Sequence, residues 1–388
     1  MRILYSTRIR VGAPTGPGVN EASFVAVLRR LEDGGEHTSQ TVVTPYAAPP
    51  PSLPRPLQLV VGGIALVFGE VRHLVRIRRA MRRFRPDVHV SRLGPFPVAT
   101  LLSSRLWVPF AAKTLSIAPD HAFGTMPVIS LVATRLNRSI SRAVIRRSVA
   151  VDCVTAQILG QIEELHPQIN GYIVDNGVDT ELFRPRASPQ VREQLGIPAD
   201  VDVIAYLGGQ PASRGGAEVV ESVARVASEP PVWGLVVGCS TADVEALQTL
   251  ASTLGVDDRV RLLPPCPPDD VPELMSVASI GVSLDDPDRA AYYGNASQKV
   301  RQYLACGLAV VAFEGTNRFI TDEQVGVQVE TSAAVPDAVA SLLRSDELRS
   351  GRLGARARSF AERELSQAER LDLRLAIWAD AVDSGTPG

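Results

Sequence analysis

NASQKVRQYLACGLAVVAF, residues Asn295 to Phe313, is the stretch on which the reading of this chain turns. Val300, Tyr303, Leu304 and Gly307 recur at helical spacing, and the LAVVAF that follows Gly307 is a short β-rich run. The pattern is helix, glycine stop, buried parallel strand. Asn295, Ser297, Lys299 and Gln302 fall before or within the first turns of that helix, where free backbone N–H groups and the positive end of the helix dipole attract an anion. A phosphate is the natural guest.

Upstream, the same alternation recurs. Strands are predicted at Val203 to Leu207, Val232 to Val237, Arg259 to Leu263 and Ile280 to Leu284, with helical patterning between them. The loop GGQPASRGG, from Gly208 to Gly216, brings glycines and Arg214 to the sheet edge that also receives Lys299. A glycine-rich loop, two cations and a helix start together point to a phosphate site. The acidic loop with Asp285, Asp286 and Asp288 is read as a solvated loop rather than a metal-binding DxD. Glu314, Glu323 and Glu330 are likewise read as solvated loop residues.

The first half of the chain repeats the pattern. RILYST is a first strand, and GAPTGPGVNEASFVAVLRRL is a glycine- and proline-rich loop that runs into a helix from about Asn20. Further strands are predicted at Gln40 to Thr44, Asp87 to Ser91, Pro109 to Lys113, Val151 to Thr155 and Tyr172 to Val174. Residues 45–56 are predicted as a loop. Strand and helix in alternation imply parallel sheets covered on both faces. His121 lies in the loop SIAPDHAFG beyond one of these strands, at the carboxyl edge where open α/β sheets hold their ligands.

A helix from Glu70 places Val71, Leu74, Ile77, Met81 and Phe84 on one stripe and Arg72, Arg76, Arg79 and Arg83 on another. A second basic helix, Thr134 to Arg147, carries Arg135, Arg138, Arg142, Arg146 and Arg147. Such helices pack on their own sheet with a solvated basic face, lie on an anionic membrane, or attract an acidic acceptor.

At 388 residues the chain suits two α/β domains better than one core. Charge divides unevenly: up to Pro185 there are 22 Lys and Arg against 13 Asp and Glu, and beyond it 18 against 29. This shift places the interdomain linker in NGVDTELFRP, Asn176 to Pro185. Lys113 and Lys299 are the two lysines among 40 basic residues. Cys153, Cys239, Cys266 and Cys306 show no CxxC spacing and read as free thiols in a reducing compartment. Met1 opens directly into a strand, and the most apolar run, Leu57 to Val71, falls short of the ~20 residues of a spanning helix. The expected location is cytoplasmic.

NGVDTELFRP, LGGQPASRGG and ASQKVRQYLACGLAVVA together resemble the family 4 glycosyltransferases of GT-B fold, in the same order and at similar spacing. The resemblance covers nearly all of the second lobe. More loosely, it extends to the GPGVN and DHAFG loops of the first. It implies an α/β chain of two Rossmann-like doubly wound domains facing a central cleft: residues 1–180 on the acceptor side, residues 181–364 holding a nucleotide sugar, and a helix over 365–388 packing back on the first.

The implied activity is retaining transfer from a UDP- or GDP-sugar to a glycan, glycolipid or small-molecule acceptor. No cofactor, obligatory metal or nucleic-acid partner is implied. Arg214 and Lys299 would neutralise the diphosphate as the sugar–phosphate bond breaks, a contribution of ~3 to 4 kcal/mol per donor. His121 would hydrogen-bond the transferred sugar. Gly209, Gln210, Asn295 and Gln302 would line the donor site, and Gly16, Gly18 and Asn20 would form an acceptor-side loop.

Three positions depart from the family: Gln302 and Gly294 or Asn295 where glutamates are usual, and Gln210 where arginine is common. They keep open an alternative, a non-catalytic nucleotide-sugar-binding subunit that supports a partner enzyme. A nucleotide-sugar epimerase on the same fold lacks the expected acidic base cluster. The basic helices add a peripheral position on the inner face of an anionic membrane.

Overall fold

The computed structural model describes residues 1–13, 16–32, 35, 37–47, 52–104, 108–114, 127–226, 231–267, 269–285, 290, 294, 297–315 and 317–383. Its first lobe runs β1 (Arg2–Thr7), α1 (Gly16–Glu32), β2 (Thr38–Val43), α2 (Arg55–Phe84), β3 (Val88–Arg92), α3 (Val98–Ser103), β4 (Phe110–Thr114), α4 (Pro127–Ile145), β5 (Ala150–Cys153), α5 (Ala156–Leu165) and β6 (Gly171–Ile173). The second lobe runs α6 (Pro189–Leu195), β7 (Val203–Leu207), α7 (Gly216–Arg225), β8 (Trp233–Val237), α8 (Thr241–Thr253), β9 (Val260–Leu263), α9 (Val271–Met275), β10 (Ile280–Ser283), α10 (Gln298–Ala305), β11 (Ala309–Phe313), α11 (Phe319–Asp322) and β12 (Gly326–Val329). It then continues through α12 (Val335–Arg344), α13 (Asp346–Arg349), α14 (Arg352–Glu364) and α15 (Gln367–Asp383).

Each lobe holds a six-stranded parallel sheet, ordered β2-β1-β3-β4-β5-β6 in the first and β12-β11-β10-β7-β8-β9 in the second. The central strands are buried along their length because helices cover both faces, which is why they read as near-continuous apolar runs. In the first sheet strand order reverses between β1 and β3, and in the second between β7 and β10. Crevices open at the carboxyl ends of strands where the order reverses, and ligands bind there.

The quoted stretch folds as its periodicity predicts. α10 ends in a paired turn: Leu308 N donates to Tyr303 O at 2.9 Å and Gly307 N to Leu304 O at 3.0 Å, with Gly307 at φ 78°. That left-handed residue caps the helix and releases the chain into β11.

Several expectations change. Gly16, Gly18 and Asn20 do not form a loop; they are the first turns of α1, which begins four residues before the expected start. The chain folds tightly in front of it, with Gly12 N donating to Gly18 O at 3.1 Å. The helix expected from Glu70 is the second half of α2, one helix of 30 residues that starts at Arg55, two residues inside the loop predicted over 45–56; the described residues 45–47 and 52–54 are non-helical as expected. Val71, expected in the packed stripe, is exposed, whereas Ile77 and Met81 are buried. The edge strand β12 had no reading in the sequence.

The two sheets are joined by a pair of adjacent chain crossings. Val178 bridges to Ser366, and Gly177 lies so near Gln367 that a Cβ would fall 2.4 Å from its Cα. Val178 and Phe183 pack in the second lobe's core. After the second crossing, Leu371, Ile377 and Trp378 of α15 pack with Tyr5 and Phe24 in the core of the first lobe.

Candidate active site

A cavity of about 330 Å³ opens at the carboxyl edge of the second sheet. Its walls include Gly208, Gly209, Gln210 and Arg214 after β7, Gly238 after β8, Cys266 after β9, and Gln298, Lys299 and Gln302 of α10. Val19 of α1 closes it from the first lobe. Arg214, Lys299, Gly209, Gln210 and Gln302, scattered over 94 positions of sequence, therefore meet in one space.

Bare backbone makes that space. Gly208 has φ 149°, and a Cβ there would sit 3.1 Å from Lys299 Cδ. At Gly238, φ 102°, a Cβ would fall 2.2 Å from Gly208 O, so the ends of β7 and β8 close together only because Gly238 lacks a side chain. Gln210 is exposed and adopts the left-handed conformation at φ 58°.

α10 is held to the sheet by Tyr303. Its hydroxyl accepts from Leu207 N at 2.9 Å and donates to Val282 O at 3.4 Å, and its ring lies over Gly281. This anchoring aims Lys299 and Gln302 at the cavity. Lys299 Nζ donates to Tyr206 Oη at 3.3 Å and lies 4.5 Å from the Tyr206 ring centre. Burial pushes the ammonium down to about 8; Asp285 pulls it back up and Arg214 pushes it further down. A partly desolvated ammonium beside a guanidinium is a site whose charge an anion would balance. Among the described lining residues there are cations but no carboxylate.

The structure also brings in groups the sequence had given other roles. Asp285, read as a solvated loop residue, is the acid that acts on Lys299. Cys266, read as a structural thiol, lines the cavity with Pro265, Val271 and Met275. The signal available was position: each lies at or just after the carboxyl end of a strand, the edge that faces the ligand. Among the described residues, no group of three or more His, Cys, Asp or Glu could hold a metal ion.

His121, Asn295, Asp286 and Asp288 lie outside the described residues. Gly294 is left-handed at φ 68° and abuts the first lobe, where a Cβ would fall 2.5 Å from Gln157 Oε1 and 2.7 Å from Thr155. On the acceptor side, Val19 lines the cavity, while Asn20 is buried and donates to Asn176 Oδ1 at 2.8 Å. Lys113, the other lysine, is enclosed in the first lobe with Nζ 3.5 Å from the Phe24 ring centre. Burial pushes it down to about 7 against the pull of Glu21.

Residues 202–345 match the family model "Glycosyl transferases group 1". A relative named D-inositol 3-phosphate glycosyltransferase, from Thermomonospora curvata, is 31% identical over 251 residues, 59% of this chain and 56% of that one. The chain spans about half the length of the curated relatives it matches. Over 99% of this chain, the fold is similar to that of sucrose-phosphate synthase from Thermosynechococcus elongatus, with a TM-score of 0.71 at 14% identity and all of that chain covered, 100%. It is also similar over 98% of its length to Anabaena Alr3699/HepE in complex with UDP-glucose, with a TM-score of 0.66 at 15% identity and 100% of that chain covered. The second lobe, over residues 202–345, is thus similar to the glycosyl transferases group 1 family, and as a whole the chain carries the GT-B fold.

Proposed function

We propose that the chain is a retaining glycosyltransferase that moves a sugar from a UDP- or GDP-sugar to a hydroxyl acceptor, with no obligatory metal. The observation that carries this reading is the meeting of Arg214 and Lys299 in a cavity without a lining carboxylate among the described residues, at the carboxyl ends of β7 and β8. A diphosphate there balances both cations. As the sugar–phosphate bond breaks, charge grows on the leaving diphosphate, and fixed cations stabilise that state more than the ground state. The uridine-diphosphate glucose of the HepE complex supports the donor class. The acceptor is a glycan, a glycolipid or a small molecule, the last in keeping with the relatives named for D-inositol 3-phosphate.

His121 is assigned to the transferred sugar. His121→Ala should therefore slow donor hydrolysis with little change in nucleotide affinity. Thermal shifts with UDP- and GDP-sugars, followed by slow donor hydrolysis without acceptor, test the reading. Stabilisation with hydrolysis supports it. No binding to any nucleotide sugar sinks it, and tight binding with neither hydrolysis nor transfer favours the non-catalytic subunit.

A peripheral membrane position for the first lobe is favoured by one observation. Leu57, Val60, Ile64, Val67, Phe68 and Val71 of α2 form an exposed apolar stripe, with exposed Arg72, Arg79 and Arg83 alongside and further along the helix. No helix among the described residues is long and apolar enough to cross a membrane. A stripe of this kind suits a helix lying in the interface of an anionic bilayer.

A further inference from the structure

Arg301 is the one cation of α10 that turns away from the cavity. It lies two residues after Lys299 and one before Gln302, and it is 1% exposed. Each of its guanidinium nitrogens is used. Nε donates to Asn176 O at 2.9 Å, Nη1 to Ser297 O at 2.8 Å, and Nη2 pairs with the Asp175 carboxylate. Next to it, Gln298 Nε2 donates to Gly177 O at 2.8 Å. The first turns of α10 are thus bonded to residues 175–177, the chain crossing between the lobes. That crossing is in turn bonded to the first lobe, since Asn20 Nδ2 donates to Asn176 Oδ1. Asn20 follows Val19, the first-lobe residue that lines the cavity.

α10 is only eight residues long, and its Ser297 start makes no side-chain cap bond. A helix this short does not set its own direction. A planar fork bound to two acceptors outside the helix, Asn176 O and the Asp175 carboxylate, adds to the Tyr303 anchor in setting it, and lysine cannot reproduce that fork. We infer that Arg301 is a positioning residue: with Asn176 and Asn20 it forms a latch that couples the setting of the Lys299 and Gln302 helix to the position of the first lobe. Movement of the lobes about residues 175–177 then carries those two side chains into or out of register with the first-lobe wall. The catalytic consequence rests on the transferase reading above; the mechanical latch does not.

Two measurements test it. Hydrogen exchange on the nucleotide-free chain needs no donor. Asn20→Ala, a change confined to the first lobe, should raise exchange at residues 175–177 and 298–302 at least threefold while leaving β8 and β9 unchanged. Unchanged exchange in α10 overturns the latch, whether or not the protein is a transferase. The second measurement is donor hydrolysis with UDP affinity read in parallel. Asn20→Ala should lower the rate at least fivefold with UDP affinity held within twofold. Arg301→Lys should lower it further, and the double variant should be no worse than Arg301→Lys alone. Multiplying effects would mean the two residues act separately and would overturn the coupling. A wild-type chain that binds no nucleotide sugar would instead defeat the transferase reading, and the exchange result would still decide the latch.

Discussion

Lys299 carries the chemistry of the site in one titratable group. Burial holds it at about 8 against an ordinary 10.5, so it is mostly charged at neutral pH and loses its proton as pH rises through 8. A bound diphosphate favours the charged form, so nucleotide affinity should fall above pH 8, by up to about tenfold per pH unit. Folding stability runs in the opposite sense: between about 8 and 10.5 the unfolded chain holds this proton and the folded chain does not, so this group's contribution rises with pH. Lys299→Ala should weaken UDP binding at pH 7 by about 2 kcal/mol, flatten the pH dependence and leave Tm nearly unchanged. Calorimetric titration at pH 7 and 9 checks this, and wild-type affinity in the variant would dismiss the site. Lys299 was legible because a lysine in the first turn of a helix after a strand has a defined address. Asp285 was not, because an acid in a loop shows its partner only when the loop is placed in space.

At the scale of the element, α2 shows what periodicity leaves open. Its sequence carries apolar residues on two sides, and either could have packed on the sheet. The structure buries Ile77, Ala80 and Met81 and leaves the stripe from Leu57 to Val75 exposed, with Phe68 at 71%. Pro56 does not break the helix, because the first turn leaves its N–H groups unpaired in any case. If the stripe meets an anionic bilayer, the chain should sediment with phosphatidylserine vesicles and release as salt rises. Arg72, Arg79 and Arg83 changed together to glutamate should abolish sedimentation, each arginine near the surface contributing ~1 kcal/mol. Absence of sedimentation at low salt would leave the stripe without its proposed occupant and make a dissolved acceptor the better choice.

At the scale of the molecule, the first lobe is completed by the last helix. Arg374 of α15 is 1% exposed and donates to Asp152 Oδ2 at 2.8 Å and to Val174 O at 2.7 Å, while Trp378 packs edge-on to Phe24 with ring centres 6.5 Å apart. Removing one partner of an enclosed ion pair leaves the other charge buried and unbalanced. Arg374→Ala should therefore destabilise the first lobe by about 3 to 5 kcal/mol, seen in scanning calorimetry as an earlier transition that separates from that of the second lobe. A single transition at the wild-type Tm would show that Asp152 is satisfied without it.

The sequence by itself determined the alternation of strand and helix, two parallel sheets, the glycine stop at Gly307, and the delivery of Arg214 and Lys299 to one sheet edge. All of these follow from periods of two and 3.6 and from the left-handed turn that glycine adopts at least cost, which are properties of neighbouring residues. Tertiary structure alone decided the start of α1 at Gly16, which face of α2 is covered, the nearness of the Asp285 charge to Lys299, and the bonds from Asn20 through Asn176 to Arg301. Asn20 and Asn176 are 156 positions apart, and Asn176 and Arg301 a further 125. No local pattern encodes such distances, because they are set by how whole layers pack and where the chain crosses between them.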